Sequence, residues 1–179
     1  MKFIKTDLEG LTVIEPDKFL DDRGYFLKSF ERKIFEENGI SMEINQINHS
    51  FNLHKGTLRG MHMQKAPFEE AKLVQCIKGS VYDVAIDMRE GSKTYGKWHG
   101  EELSEENKIV FFIPEGFAHG FITLLENTEV LYFMSGEYSK PHEIGYRWND
   151  PYFKITWPLE PTVIAEKDKD WPLALKKYD

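Results

Sequence analysis

The 179-residue chain holds a single cysteine, Cys76, which excludes an internal disulfide and with it the disulfide-stapled class of small secreted domains. A reducing cytoplasm is the expected compartment. Long hydrophobic runs are also missing. The stretches Ile109 to Ile113 and Val130 to Met134 fall far short of the roughly 20 apolar residues a membrane-spanning helix needs. The first residues interleave Lys2, Lys5, Asp7 and Glu9 with apolar ones, unlike the continuous apolar segment of a secretory signal. Positive charge is in deficit: 23 Lys and Arg stand against 30 Asp and Glu, for a net charge of −7. That balance argues against a general nucleic-acid or acidic-membrane binder, so an anionic ligand needs a local basic pocket. His-x-His, His-Glu-x-x-His and Gly-x-Ser-x-Gly do not occur. Metal-ligand spacing and a hydrolase elbow are therefore unsupported, and one thiol cannot build a multi-thiolate zinc cluster within one chain. Cys76 sits among Leu73, Val74 and Ile77, the setting of a buried, inert thiol.

Hydrophobic residues make up 41% of the chain and aromatics 14%, enough for one globular core, and no repeat or linker divides it. A single domain over residues 1–179 is expected. Strand signals dominate. Val81 to Met88 places Tyr82, Val84, Ile86 and Met88 on one face, with Asp83 and Asp87 among the residues on the other. Ile109 to Ile113 is an apolar run closed by Pro114-Glu115-Gly116, and Thr128 to Met134 is β-branched and aromatic. Glycines cut most of the chain into short segments, the pattern of a sandwich or barrel; a mainly β fold, an antiparallel β-barrel or jelly roll, is expected. The clearest helix is Phe30 to Asn38, with Ser29 as cap and Gly39 as terminator. After Trp148 a packed tail with short helices is expected.

Polar density peaks in the segment from Gln46 to Gln64, around Gly56 and Gly60. If Leu58 to Gln64 is extended, His62 and Gln64 share a face with Gly60, whose missing side chain leaves room for a ligand beside the imidazole. Taken alone, His62 suits a satisfied structural histidine as well as a catalytic base. His119, between the Pro114-Glu-Gly turn and an aromatic strand, is equally open.

The set Asp22-Arg-Gly-Tyr-Phe26, Gln46-x-Asn48, Leu58-Arg-Gly-Met-His62, Lys72-Leu-Val74, Asp83-Val-Ala-Ile-Asp87, Ile113-Pro-Glu-Gly-Phe-Ala-His-Gly-Phe121, Trp148-Asn-Asp-Pro151 and Glu166-Lys-Asp168 resembles the dTDP-4-dehydrorhamnose 3,5-epimerase family nearly end to end. The resemblance implies a cupin-like jelly roll with short peripheral helices, acting without a cofactor or metal on a nucleoside-diphosphate 4-keto-6-deoxy sugar. It implies His62 as the base, Asp168 as the carboxylate that orients it, Lys72 as the cation stabilising an enolate, and Tyr132 as the acid from the other side. For binding it implies Arg23 and Arg59 at the diphosphate, Gln46 and Asn48 along the nucleotide, and His119 by phosphate or sugar. Lys28, Glu143 and Lys167 match further binding positions, and Tyr138 falls where a ring can stack on the base. It also implies a homodimer in which the segment bearing Arg23 completes the partner's site.

Each of these residues has an ordinary alternative: Lys72 a surface cation, Asp168 a helix cap, Tyr132 a core aromatic. The chain also departs from the family's pattern. Lys28 stands where a Glu is usual, and Tyr132-Phe-Met-Ser-Gly-Glu-Tyr138 replaces a Tyr-Lys-Cys-Thr run. These departures leave room for a related epimerase that inverts C3 alone or acts on a GDP-linked 4-keto heptose, and for a sugar-nucleotide binding protein without chemistry.

Overall fold

The computed structural model describes residues 1–174; the last five residues of the expected single domain lie outside them. In chain order the N-terminal third holds β1 (Lys2–Lys5), β2 (Thr12–Glu15), β3 (Phe19–Asp21), β4 (Gly24–Phe26), α1 (Arg32–Glu37) and β5 (Gln46–Asn52). The central strands are β6 (Thr57–Gln64), β7 (Lys72–Lys78), β8 (Ser80–Asp87), β9 (Trp98–Ser104), β10 (Val110–Ile113), β11 (Phe117–Thr123) and β12 (Thr128–Met134). A 3-10 turn at Lys140–His142 leads to β13 (Glu143–Gly145), then β14 (Val163–Ile164) and α2 (Glu166–Lys169).

Two sheets face each other, one in the order β1-β2-β10-β7-β12-β5 and one in the order β13-β6-β11-β8-β9. From β5 to β8 and again from β9 to β12 consecutive strands alternate between the sheets, with β8 and β9 paired as neighbours in one of them, the arrangement of the expected jelly roll. Two short strands share the outer edge of β6: antiparallel β13 runs beside His62 to Gln64, and parallel β14 beside Thr57 and Leu58. The β3–β4 hairpin stands apart and exposed.

Period-two alternation explains the layers, with one complication. Strands β7, β8, β10 and β11 bury both faces. On β7, Val74 and Cys76 point between the sheets, while Leu73 points outward. There it joins Ile14, Val110, Phe112 and, from α1 and the segment after it, Phe35, Ile40 and Met42. On β8, Val81 and Ala85 point between the sheets, while Val84 and Ile86 pack outward on Tyr146, Phe153 and Ala174 of the C-terminal tail. The expected polar face of β8 is thus an interior face, and Asp83 and Asp87 are both fully buried.

The helix is shorter than the Phe30 to Asn38 expected from sequence, and Ser29 does not cap it. The Ser29 hydroxyl donates to Gln75 Oε1 across the sheet at 2.8 Å, and the residue at the N-cap is Glu31, which makes no capping bond. Its end is as expected. Gly39 takes φ +82°, its N–H donates to Glu36 O, and the Ile40 N–H reaches Phe35 O. These two bonds close the left-handed C-terminal cap that glycine favours, with Phe35 and Ile40 in the same apolar cluster.

Candidate active site

A cavity of about 530 Å³ opens between the two sheets. One wall is β6 and β11, contributing Arg59, His62, Gln64 and His119; the other is β5, β7 and β12, contributing Asn48, Lys72 and Tyr132. A distortion in β6 makes the first wall. His119 pairs with His62 and Phe121 with Arg59, so two steps along β11 are matched by three along β6. This bulge turns Arg59 and His62 to the same side although they are an odd number of residues apart.

Gly60 is the reason the bulge fits, and its role differs from the ligand space expected of it. A Cβ there would lie 2.5 Å from Gly120 Cα and 2.9 Å from His119 O, so the missing side chain lets β11 approach. Its φ of +127° also favours glycine. The freed Gly60 N–H donates to Asp168 Oδ2 at 3.2 Å.

Asp168 comes from α2 and is buried. Its Oδ1 lies 2.6 Å from His62 Nε2, and the imidazole remains 26% exposed toward the cavity. Burial alone would raise the Asp168 pKa. The hydrogen bond and charge of His62, the Gly60 N–H and the Lys167 charge outweigh it and hold the carboxyl below its ordinary range. The short α2 thus supplies a charged partner for His62 rather than the helix cap that was the ordinary alternative.

Lys72 is buried at the cavity wall with its ammonium 3.3 Å from Glu70. Glu70 is tied to Gln64, whose amide also donates to Phe68 O and Glu137 O and whose oxygen accepts the Ser139 N–H at 2.6 Å. The Tyr132 hydroxyl shares a 3.0 Å hydrogen bond with Ser50. Burial raises the phenol's pKa, the Ser50 bond offsetting part of the effect, so the group stays neutral. On the opposite wall, His119 Nε2 lies 2.9 Å from both carboxylate oxygens of Asp83. At the mouth, Glu143 accepts from Tyr138 at 3.0 Å and from Lys167 at 2.8 Å. Among the described residues no group of three His, Cys, Asp or Glu side chains is gathered as a metal site.

Arg23, Lys28 and Gln46 do not line this cavity. Arg23 is on the exposed hairpin, bound to Asp21, Lys28 pairs with Glu31, and Gln46 donates to Gly136 O. Sequence reasoning passed over Glu70, Asp83 and Trp171, whose indole N–H reaches Asp168 at 3.4 Å. Asp83 carried a signal, an acid flanked by apolar residues in the middle of a strand. Glu70 and Trp171 carried none, because their contacts depend on how loops fold back.

These features define a cupin-like jelly-roll protein with a pocket of ionisable side chains between its sheets. The family model described as dTDP-4-dehydrorhamnose 3,5-epimerase matches residues 5–176. A dTDP-4-dehydrorhamnose 3,5-epimerase of Methanothermobacter thermautotrophicus is 45% identical over 173 residues, covering 95% of this chain and 92% of the relative. The solved dTDP-6-deoxy-D-glucose-3,5-epimerase of Legionella pneumophila Philadelphia 1, in complex with dTDP-4-keto-L-rhamnose, superposes with a TM-score of 0.92. It is 40% identical, covering 99% of this chain and 94% of that one. A 3′-monoepimerase from Streptomyces bikiniensis, solved with dTDP-quinovose, is 29% identical with a TM-score of 0.87, covering 94% and 85%. The chain belongs to the dTDP-4-dehydrorhamnose 3,5-epimerase family.

Proposed function

We propose that the chain epimerises a dTDP-linked 4-keto-6-deoxy sugar at C3 and C5 without a cofactor, supplying an activated deoxysugar for surface polysaccharide in the cytoplasm. The hydrogens beside the C4 ketone are acidic. Inverting their carbons requires a base on one face of the ring, an acid on the other, and a charge near the ketone oxygen. The observation that carries the reading is the placement of His62 and Tyr132 on facing sheets across one cavity, with Lys72 on its wall. With Nε2 committed to Asp168, His62 takes the C–H proton on Nδ1, and Asp168 stabilises the imidazolium. The enolate oxygen rests against the Lys72 ammonium. The Tyr132 phenol then protonates the carbon from the opposite face, and solvent restores both groups. Asn48, Arg59, His119, Tyr138, Glu143 and Lys167 hold the nucleotide and sugar.

Incubation with dTDP-4-keto-6-deoxy-D-glucose in deuterated water tests this. His62→Ala loses deuterium entry at both C3 and C5, while Tyr132→Phe keeps entry and slows inversion. Exchange persisting at either carbon in folded His62→Ala removes that base from the mechanism.

The finer proposal is a homodimer with shared sites. Phe19, Leu20, Tyr25 and Phe26 leave large apolar surfaces exposed on the hairpin that carries Arg23. Ile47 and Phe51 are exposed on β5, an edge strand beside the cavity. A hairpin laid on the partner's β5 covers both patches and delivers Arg23 to the partner's phosphate site. Lys28 follows on the same segment, so the departure from the family's Glu acts on the nucleotide in the shared site. Mixing Arg23→Ala with His62→Ala chains, each inactive alone, restores activity through dimers with one intact site; no recovery despite verified subunit exchange refutes the sharing.

A further inference from the structure

Gly145 stands directly opposite His62 in the β13–β6 ladder. Its backbone does not require glycine, since its φ is not positive, but a Cβ there would overlap the indole of Trp171. The ring therefore occupies the space a side chain beside His62 would fill. It stands edge-on to the imidazole, with centroids 6.3 Å apart and planes at 69°. Its Nε1–H points to Asp168 Oδ1 at 3.4 Å, the same oxygen that bonds His62. The Trp171 carbonyl is anchored by Arg147 Nε at 2.7 Å, and the Ala174 N–H by Asp150 at 2.6 Å. Trp171 does not line the cavity. The helix that carries Asp168 has four residues and no side-chain cap, too little to hold a carboxylate in place by itself.

We infer that Trp171 is a positioning residue for the reaction: seated on Gly145, it clamps the segment bearing Asp168 and covers the His62–Asp168 bond from outside the cavity. The inference rests on His62 and Asp168 acting as proposed above. A carboxylate that drifts lets the imidazole turn away from the carbon it must deprotonate, and displacements of about 1 Å at such a site cost up to about a hundredfold in rate.

The test uses the enzyme, the single variants Trp171→Ala, Trp171→Phe and Gly145→Ala and the double variant combining Trp171→Ala with Gly145→Ala, with His62→Ala as reference. Deuterium entry at C3 and C5, KM and the affinity for dTDP alone are measured for each. Trp171→Ala is expected to slow deuterium entry about tenfold to a hundredfold, with KM and dTDP affinity unchanged. Trp171→Phe restores part of that rate. Gly145→Ala, which displaces the ring, reproduces the loss in the wild-type background and adds nothing to Trp171→Ala, because both act through one contact. Wild-type exchange in Trp171→Ala overturns the inference, as does a loss of dTDP affinity parallel to the loss of rate. If Trp171→Ala does not fold, Trp171→Phe and Gly145→Ala decide by the same criteria. Exchange retained by His62→Ala would instead refute the assignment of the base, an outcome separable from failure of the clamp.

Discussion

Two histidine–carboxylate pairs lie side by side in this protein, since His62 on β6 and His119 on β11 are cross-strand partners. They differ in what surrounds the acid. Asp168 is shielded, yet it receives a backbone N–H from Gly60, an indole N–H from Trp171 and the charge of Lys167 besides its bond to His62. Those groups outweigh burial and keep it ionised, while His62 retains an open edge on the cavity. Asp83 is fully enclosed, both oxygens face His119, and only the charge of Lys72 adds support, so burial prevails and lifts its pKa. The same two residue types thus make a pair with an ionised acid and an open imidazole edge in one place, and a pair with a fully enclosed acid in the other. The donors around the carboxylate decide which.

The largest expected effect separates the two histidines kinetically. His62→Asn should lower kcat on the order of 10²- to 10⁴-fold, the usual contribution of a general base. His119→Asn should act mainly through KM, raising it roughly tenfold to a hundredfold, as loss of one hydrogen bond to a charged group does, and should keep deuterium entry at C3 and C5. Steady-state kinetics on a dTDP-4-keto sugar, with exchange followed by NMR, reads both. Exchange lost from His119→Asn as completely as from His62→Asn would mean that the pairs share the proton transfer and that the contrast is false.

The contrast also marks how far the sequence could be read. Period-two patterning located β8, and an apolar run closed by a turn and a β-branched, aromatic run located β10 and β12, because all three are local properties. It also put His62 in an extended segment with Gln64 on the same side, and both line the cavity. The bulge at Gly60 was not legible: it depends on how closely Gly120 of a distant strand approaches, and it reverses the apparent facing of Arg59 relative to His62. Neither His62 nor His119 announces its partner, since Asp168 is 106 residues away and Asp83 is 36. The resemblance supplied Asp168. The burial that distinguishes the two acids is a tertiary property no short motif encodes. The N-terminal cap failed similarly, because Ser29 found Gln75 across the sheet in preference to its own helix.

The smallest expected effect is on stability, where the two acids should respond to pH with opposite sign. Asp168 has a folded pKa below its ordinary value of 3.8. The stability it contributes is therefore fully present above that value and lost as pH falls through its lowered one. Asp83 has a folded pKa raised above 3.8. Its contribution is present below 3.8 and lost as pH rises through the raised value. Urea unfolding of wild type, Asp168→Asn and Asp83→Asn between pH 3 and 7 isolates the two, because asparagine titrates in neither state. The advantage of wild type over Asp168→Asn should grow on moving from pH 3 to 5, by roughly 1 kcal/mol for each pKa unit of depression. The advantage over Asp83→Asn should shrink as pH rises above 4. Slopes of the same sign would show that both carboxylates are held in the same protonation state, and the distinction between the two pairs would then rest on access to the cavity alone.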